Sequence, residues 1–438
     1  MKQAATEIVR TLRRKGHSAY LVGGCVRDLL LGKEPTDYDV ATSATPDEVQ
    51  QYFSQTYPVG AQFGVILVEI GNKDFVEVAT FRSDVSYSDG RHPDAVRYTQ
   101  SAQEDVKRRD FTINGLLLDP ENNQVLDFVG GQMDLKNRMV RAIGQPDVRF
   151  QEDKLRMLRA VRFAARFEYQ IEPETFGAIQ ELAGQITQVS RERVRDELLK
   201  MLTEGHARRA FELLDATGLL DCVLPEIARM KGVQQPPQYH PEGDVWIHTL
   251  MLLEQLPAGV SPTLALGALL HDVGKPSTFR VAPERIRFDG HVEVGEKIAE
   301  DILQRLRLSN DETAQVLALV ANHMRFADVT KMKDSTLKRF FRLPRFEEHL
   351  ELHRMDCTAS HGKLDLYEFT QKKLAETPPA DIRPTPLVTG IDLIEAGYEP
   401  GPRFKEILEA VEDAQLEGEL QSREQAMQFI AREFPRAG

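Results

Sequence analysis

Apolar positions divide the chain into two regimes. Over residues 1 to about 140, short β-rich runs alternate with stretches of helical periodicity. Residues 20–22, 65–70, 75–81 and 125–129 are predicted strands, being short runs rich in Val, Ile, Leu and Phe set between more polar segments. Residues 1–14 predict a charged amphipathic helix without the apolar segment of a signal peptide. From about Asp147 the strand signals fade and helical spacing runs on to the C-terminus. The first part therefore predicts α/β or α+β architecture, and the remainder is helical.

Pro236-Pro237, within residues 234–240, predicts a linker, and Pro378, Pro379, Pro384 and Pro386 predict a second break. With the change of regime near residue 140, the first break suggests segments 1–140, 141–235 and a helical remainder from 236. No internal repeat is visible.

Length and charge narrow the class. At roughly 150 residues per domain, the 438 residues suggest about three domains, large enough to fold without disulfides or metal clips. Lys plus Arg number 55 against 68 Asp plus Glu, a formal charge of −13. That excludes a protein that coats polyanions indiscriminately but leaves room for local basic patches. Cys25, Cys222 and Cys357 are isolated, which fits a reducing compartment and argues against a zinc ribbon. The longest apolar stretches, such as 264–270, are too short for a bilayer, so no membrane partner is expected and the cytoplasm is the simplest location.

The first chemical cluster begins where a predicted strand meets a helix. Gly23-Gly24 lets backbone N–H groups approach a polyphosphate, and Arg27 could add a phosphate contact. Asp37 and Asp39 follow; two apart on a strand, they point to one face. Paired carboxylates suit Mg²⁺, which can activate a hydroxyl and neutralise a leaving pyrophosphate. Lys107-Arg108-Arg109 then offers three adjacent cations. Between Lys154 and Arg166 lie five cations and no acid. On a helix, Arg156, Arg159, Arg162 and Arg166 share about a third of the circumference, opposite Met157, Leu158, Val161 and Ala165. With no acid inside this run, it predicts an anion-binding row.

The order GGxVRD…DxD, then RRDFTIN at 107–114 and EDKLR at 152–156, resembles the polymerase-β-like nucleotidyltransferases. Within them it is most similar to the class II tRNA nucleotidyltransferases, the CCA-adding enzymes, and their poly(A) polymerase relatives. The resemblance implies an α+β nucleotidyltransferase head over 1–140 and a helical neck over 141–235. It further implies that Asp37 and Asp39 hold Mg²⁺ and that Gly24, Arg27, Arg109, Arg159 and Arg162 hold the triphosphate. Asp153 and Arg156 would read the incoming base. The implied partners are CTP, ATP and the tRNA 3′ end. Glu77, on the neighbouring strand, is a candidate third carboxylate. Residues 81–84 and 90–93 resemble the loop that the family associates with adding the terminal A. Arg193, in the run 191–198, falls in a helical motif that here reads as support for the site. A-only addition, poly(A) synthesis and, in another class, a phosphodiesterase with a tRNA-binding head remain open.

A second cluster spans 240–356: His240, Glu242, His248, the pair His271-Asp272, then His291, His323 and Asp356. Mixed nitrogen and oxygen donors suit Mg²⁺, Mn²⁺, Ni²⁺ or Co²⁺ better than a thiolate zinc site. The pattern resembles the HD phosphohydrolase domain, with His248, His271, Asp272 and Asp356 matching its ligands. This implies an HD domain over 236–360 and a helical tail over 361–438, within which 389–393 and 401–403 also resemble the family. The resemblance points to RNA 2′,3′-cyclic phosphates or 2′-phosphates as substrates.

Overall fold

The computed structural model describes residues 1–60, 64–71, 73–85, 95–238, 240–283 and 285–435. The chain forms two compact units: Met1–Ala228 with Leu256–Gly259, and Arg229–Gln255 with Val260–Gly438.

The first unit is built on a mixed sheet. Its strands are β1 (Ala19–Val22), β2 (Asp39–Thr42), β3 (Thr56–Gly60), β4 (Val65–Gly71), β5 (Asp74–Thr80), β8 (Leu116–Asp119) and β9 (Gln124–Asp127). They lie in the order β3-β4-β5-β2-β1-β8-β9. Every pair is antiparallel except β2–β5, which is parallel and sets Asp39 opposite Glu77. Two further strands, β6 (Arg82–Val85) and β7 (Ala95–Tyr98), pair with each other. Residues 86–94, where much of the expected loop falls, lie outside the described residues.

All four strands predicted from the pattern are present, within one or two residues at their ends. β2 is shorter than its carboxylate spacing suggested: Asp37 precedes the strand and Asp39 opens it. Beyond Asp39 the strand is buried, so it carries no alternating pattern. Lys2–Arg14 is helical and buries Ala5, Ile8, Val9 and Leu12, the expected amphipathic face. Helices follow the sheet, and Leu155–Arg166 buries Met157, Leu158, Val161 and Ala165 on its packed side.

The second unit is almost wholly helical. Helix Pro262–Leu270 has eight buried residues, Thr263 through Leu270, and therefore reads as continuously apolar. The Pro236-Pro237 run lies inside this unit, because the division falls between Ala228 and Arg229. Buried Gln235 accepts a hydrogen bond from Lys275 at 2.7 Å, tying that run down. A separate apolar cluster of Val388, Leu393, Ile407, Val411, Ala426 and Ile430 closes the tail. Among the described residues no helix is long and apolar enough to cross a membrane.

One close approach sets the second unit's histidines. A Cβ on Gly274 would lie 2.0 Å from the His291 carbonyl oxygen and 2.6 Å from the Gly295 nitrogen. Gly274 has an ordinary φ of −80°, so the constraint is space and not backbone conformation. Gly274→Ala is therefore expected to cost about 1–3 kcal/mol or more, read by denaturant unfolding. Unchanged stability would show that the helix beginning at His291 does not depend on this contact.

Candidate functional site

The cleft of the first unit encloses about 470 Å³ and gathers the expected nucleotidyl-transfer residues. Gly23, Gly24, Arg27, Asp37, Asp39, Arg109, Asp153, Arg156 and Arg159 all line it. Gly23 adopts φ +77°, a left-handed conformation that suits glycine where β1 turns into the helix Gly24–Leu30. Buried Arg27 is fixed by Asn114, whose side-chain oxygen accepts a 2.6 Å hydrogen bond, and by Asp28 at 2.8 Å. Arg109 donates twice to buried Asp105, at 3.0 and 3.3 Å.

The carboxylates form the opposite charge centre. Parallel register places Glu77 beside Asp39. Burial, with the charges of Glu77 and Asp37, pushes Asp39 up to about 7 despite nearby Arg109. Asp39 and Glu77 are both held above the usual carboxylate range, by burial first, and a divalent cation beside such oxygen donors would favour their charged forms.

The arginine helix departs from expectation in one respect. Its counter-charges are present, but other segments deliver them. Arg156 pairs with Glu152 at 2.9 Å and donates to the Arg108 carbonyl at 2.9 Å. Arg159 grips Asp110 through two donors, at 2.7 and 2.9 Å. Burial alone would raise the Asp110 carboxyl, yet Arg159 and Asn114 bring it down to about 2. Arg162, expected among the triphosphate contacts, is 5 % exposed and bonded to Glu197 at 2.6 Å. It is not among the cleft-lining residues; Arg166 is, and pairs with Glu204 at 3.3 Å.

Asp153 and Arg156 share the cleft wall. Arg193 holds the Asp153 carboxylate with two bonds, at 3.1 and 2.8 Å, the supporting role read for its helix. The Leu155 N–H adds a third at 3.1 Å. A carboxylate has about four acceptor positions, so one remains for a ligand. Sequence reasoning passed over Asp110, Asn114 and Phe163. The first two stand in the RRDFTIN run beside Arg109, which was a usable signal; Phe163 read only as packing.

The second unit holds a histidine–carboxylate centre. His271, His291 and His323 each set Nδ1 against a backbone carbonyl, of Ala268, Phe288 and Val320, at 3.0, 3.0 and 2.7 Å. His248 sets Nδ1 against Glu242 at 2.8 Å. These acceptors place the proton on Nδ1, so His271, His291 and His323 turn Nε2 lone pairs inward, while the Nε2 of His248 faces Asp356. The Nε2 atoms of His248 and His271 stand 3.3 Å apart, and those of His291 and His323 3.4 Å apart. Asp356 lies 3.2 Å from His248 Nε2, and Asp272 lies 3.2 Å from His271 Nε2. Burial would lower His248, but Asp356 and Glu242 raise it to about 9.

Three donor trios capable of holding a metal ion are His240/Glu242/His248, His248/His271/Asp272 and Asp272/His291/His323. His248, His271, Asp272 and Asp356 thus converge as expected, and His291 and His323 face Asp272 at 3.8 Å. The adjoining cavity, about 680 Å³, is also lined by Lys275, Arg285, His361 and Lys363.

Known protein families match three stretches of the chain. Residues 19–141 match the poly A polymerase head domain. Residues 168–231 match the probable RNA and SrmB-binding site of polymerase A, and 244–358 match the HD domain. A CCA-adding enzyme of Levilactobacillus brevis is 33 % identical over 435 residues, covering 97 % of this chain and 96 % of that protein. One from a Geobacillus species is 45 % identical over 217 residues, covering 50 % of this chain and 53 % of its own. The crystal structure of the Bacillus stearothermophilus CCA-adding enzyme in complex with CTP superposes with a TM-score of 0.74 at 27 % identity, covering 98 % and 97 % of the two chains. The Thermotoga maritima CCA-adding enzyme complexed with tRNA shares the fold, with a TM-score of 0.58 at 18 % identity over 98 % and 94 %. With a relative of this identity matched along nearly its whole length, the chain belongs to the CCA-adding enzyme family.

Proposed function

We propose that the protein adds CCA to the 3′ end of tRNA, taking CTP and ATP in turn without a nucleic-acid template. The observation that carries this reading is one cleft lined by both a carboxylate pair and a base-edge reader. Asp37 and Asp39, with Glu77 as third carboxylate, hold Mg²⁺. When bound, that ion lowers the pKa of the attacking 3′-hydroxyl and offsets the charge of departing pyrophosphate. Gly24 supplies backbone N–H groups to the triphosphate, and Arg27, Arg109 and Arg159 supply guanidiniums. Arg162 supports the row through Glu197, so its contribution is positional.

Base choice follows from donor order. Cytosine and adenine both present an amino group beside a ring nitrogen acceptor. Uracil and guanine present a carbonyl beside an N–H at that edge. Asp153 accepts from the amino group and Arg156 donates to the ring nitrogen. A mismatched base would set its carbonyl against the Asp153 carboxylate and its N–H against the Arg156 guanidinium, costing roughly 1–3 kcal/mol or more.

In the second unit, His248, His271, Asp272 and Asp356 hold a divalent ion, Mn²⁺, Ni²⁺, Co²⁺ or Mg²⁺, for hydrolysis of phosphate esters. Lys275, Arg285 and Lys363 would receive the phosphate. RNA ends carrying a 2′,3′-cyclic phosphate or 2′-phosphate are suitable substrates. Their hydrolysis frees the 3′-hydroxyl that nucleotide addition requires. Cytoplasmic location follows from the tRNA substrate.

Extension of a tRNA lacking CCA, with CTP and ATP supplied singly and together, tests the first activity. CTP alone should add two residues and both together three; A-only extension would assign the protein to the other branch.

Three substitution outcomes follow from these assignments. Asp37→Ala and Asp39→Ala should each lower addition by orders of magnitude. Their metal-free unfolding midpoints should hold or rise, since a like charge is removed; near-normal extension would remove these carboxylates from the mechanism. Asp153→Ala and Arg156→Ala should raise use of UTP or GTP relative to CTP and ATP. A uniform loss with unchanged base preference would mean the protein does not read the base through this pair. His271→Ala should abolish divalent-ion binding at the second-unit centre, read by calorimetry as the loss of one class of sites, along with ester hydrolysis, while tRNA extension persists. Loss of extension in a folded His271→Ala protein would contradict the independence of the two centres.

A further inference from the structure

Two aromatic rings lie among the cleft arginines without an assigned role. Phe163 lines the cleft and is 5 % exposed; half-buried Phe167 follows one turn later. Their rings stack at 6.1 Å with 12° between planes. Cations crowd onto both. Arg27, from the Gly24–Leu30 helix, sits 4.6 Å from the Phe167 centroid and 5.6 Å from that of Phe163. Arg162 and Arg159 lie 4.3 and 5.2 Å from Phe163, while Arg166 and Lys33 lie 5.5 and 5.7 Å from Phe167. Phe111, in the RRDFTIN run, meets Phe163 edge-on at 5.9 Å.

We propose that Phe163 and Phe167 are positioning residues for triphosphate binding, holding Arg27 of the head and Arg159 of the neck helix in one register. The inference rests on the triphosphate reading of the cleft. Its physical basis is the attraction of guanidinium groups to the negative face of an aromatic ring. Arg27 has its edge donors committed to Asn114 and Asp28, so the rings fix the remaining freedom, the tilt of its plane. Arg159 has its edge fixed by Asp110 and its face near Phe163. The head contributes Arg27 and the neck contributes both rings, so the stack also aligns the phosphate contacts with the base-reading residues on the same helix. Asp153 and Arg156 are held otherwise, by Arg193 and Glu152. Phosphate affinity should therefore depend on the rings, and base choice should not.

Phe163→Met and Phe167→Met keep side-chain bulk and apolarity but remove the ring face; Phe163→Tyr keeps it. Dissociation constants for CTP and ATP are measured by calorimetry without RNA, and KM and kcat by extension of tRNA ending before CCA and after CC. Each Met variant is expected to weaken both nucleotides about tenfold, the size of a partly buried cation–π contact. KM should rise in parallel, kcat should change less, and CTP-to-UTP preference should be unchanged. Phe163→Tyr should return affinity to within about twofold of the unsubstituted protein. Unchanged affinity in folded Met variants, a fall in kcat alone, an altered base preference, or a Tyr variant that behaves like Met would each overturn the proposal. If Phe163→Met fails to fold, half-buried Phe167→Met decides by the same measurements. Triphosphate binding without RNA extension would count against the proposed function, while the dissociation constants still judge the rings.

Discussion

Desolvation of carboxylates set close together governs the nucleotide cleft. Adjacent strands in register, β2 and β5, stand about 4.8 Å apart, and they bring Asp39 beside Glu77 with Asp37 just upstream. Burial first, and then the charges of Glu77 and Asp37, push the Asp39 carboxyl up to about 7. A divalent cation bound there would offset that cost. The parallel pairing of two strands, which a sheet needs only for its core, would thereby also position the donors of the proposed metal site.

The facing wall solves the opposite problem. Several arginines can share one helix face only if their charges are compensated and their planes fixed. Glu152, Asp110, and the pair Glu197 and Glu204 of one helix provide compensation from three segments, and each pairing restricts the orientation of a guanidinium. Arg193 performs the same service for Asp153. A ligand entering such a cleft meets groups already aimed, so less binding energy is lost in ordering them. In the second unit the same logic uses tautomers. Backbone carbonyls and Glu242 take up every Nδ1 proton of the four inward-facing histidines, and the remaining nitrogens of His271, His291 and His323 are left as donors to a metal.

How much of this was legible depended on whether the relevant neighbour was near in sequence. The strands with exposed alternation, the amphipathic first helix and the short motifs that line much of both centres could be read directly, because their spacing or adjacency encodes the geometry. β2 could be read only through its acids, since a central strand buried on both faces loses its period. Arg162 was misplaced for a related reason. Its spacing puts it on the arginine face, but the acid that claims it, Glu197, lies 35 residues away on another helix. The linker expected at Pro236-Pro237 falls inside the second unit because a buried Gln235–Lys275 bond, invisible to composition, anchors it. Phe163 shows the same limit: an aromatic at helical spacing reads as core until the cations around it are seen.

The central claim is that protein side chains, and not a nucleic-acid strand, select the base. It is tested most directly by titrating the RNA-free protein with each of the four triphosphates in the presence of Mg²⁺. CTP and ATP should bind at least tenfold more tightly than UTP and GTP, as expected when a mismatch costs about 1.4 kcal/mol or more. Equal affinity for all four would contradict the account, since selection would then have to come from the RNA.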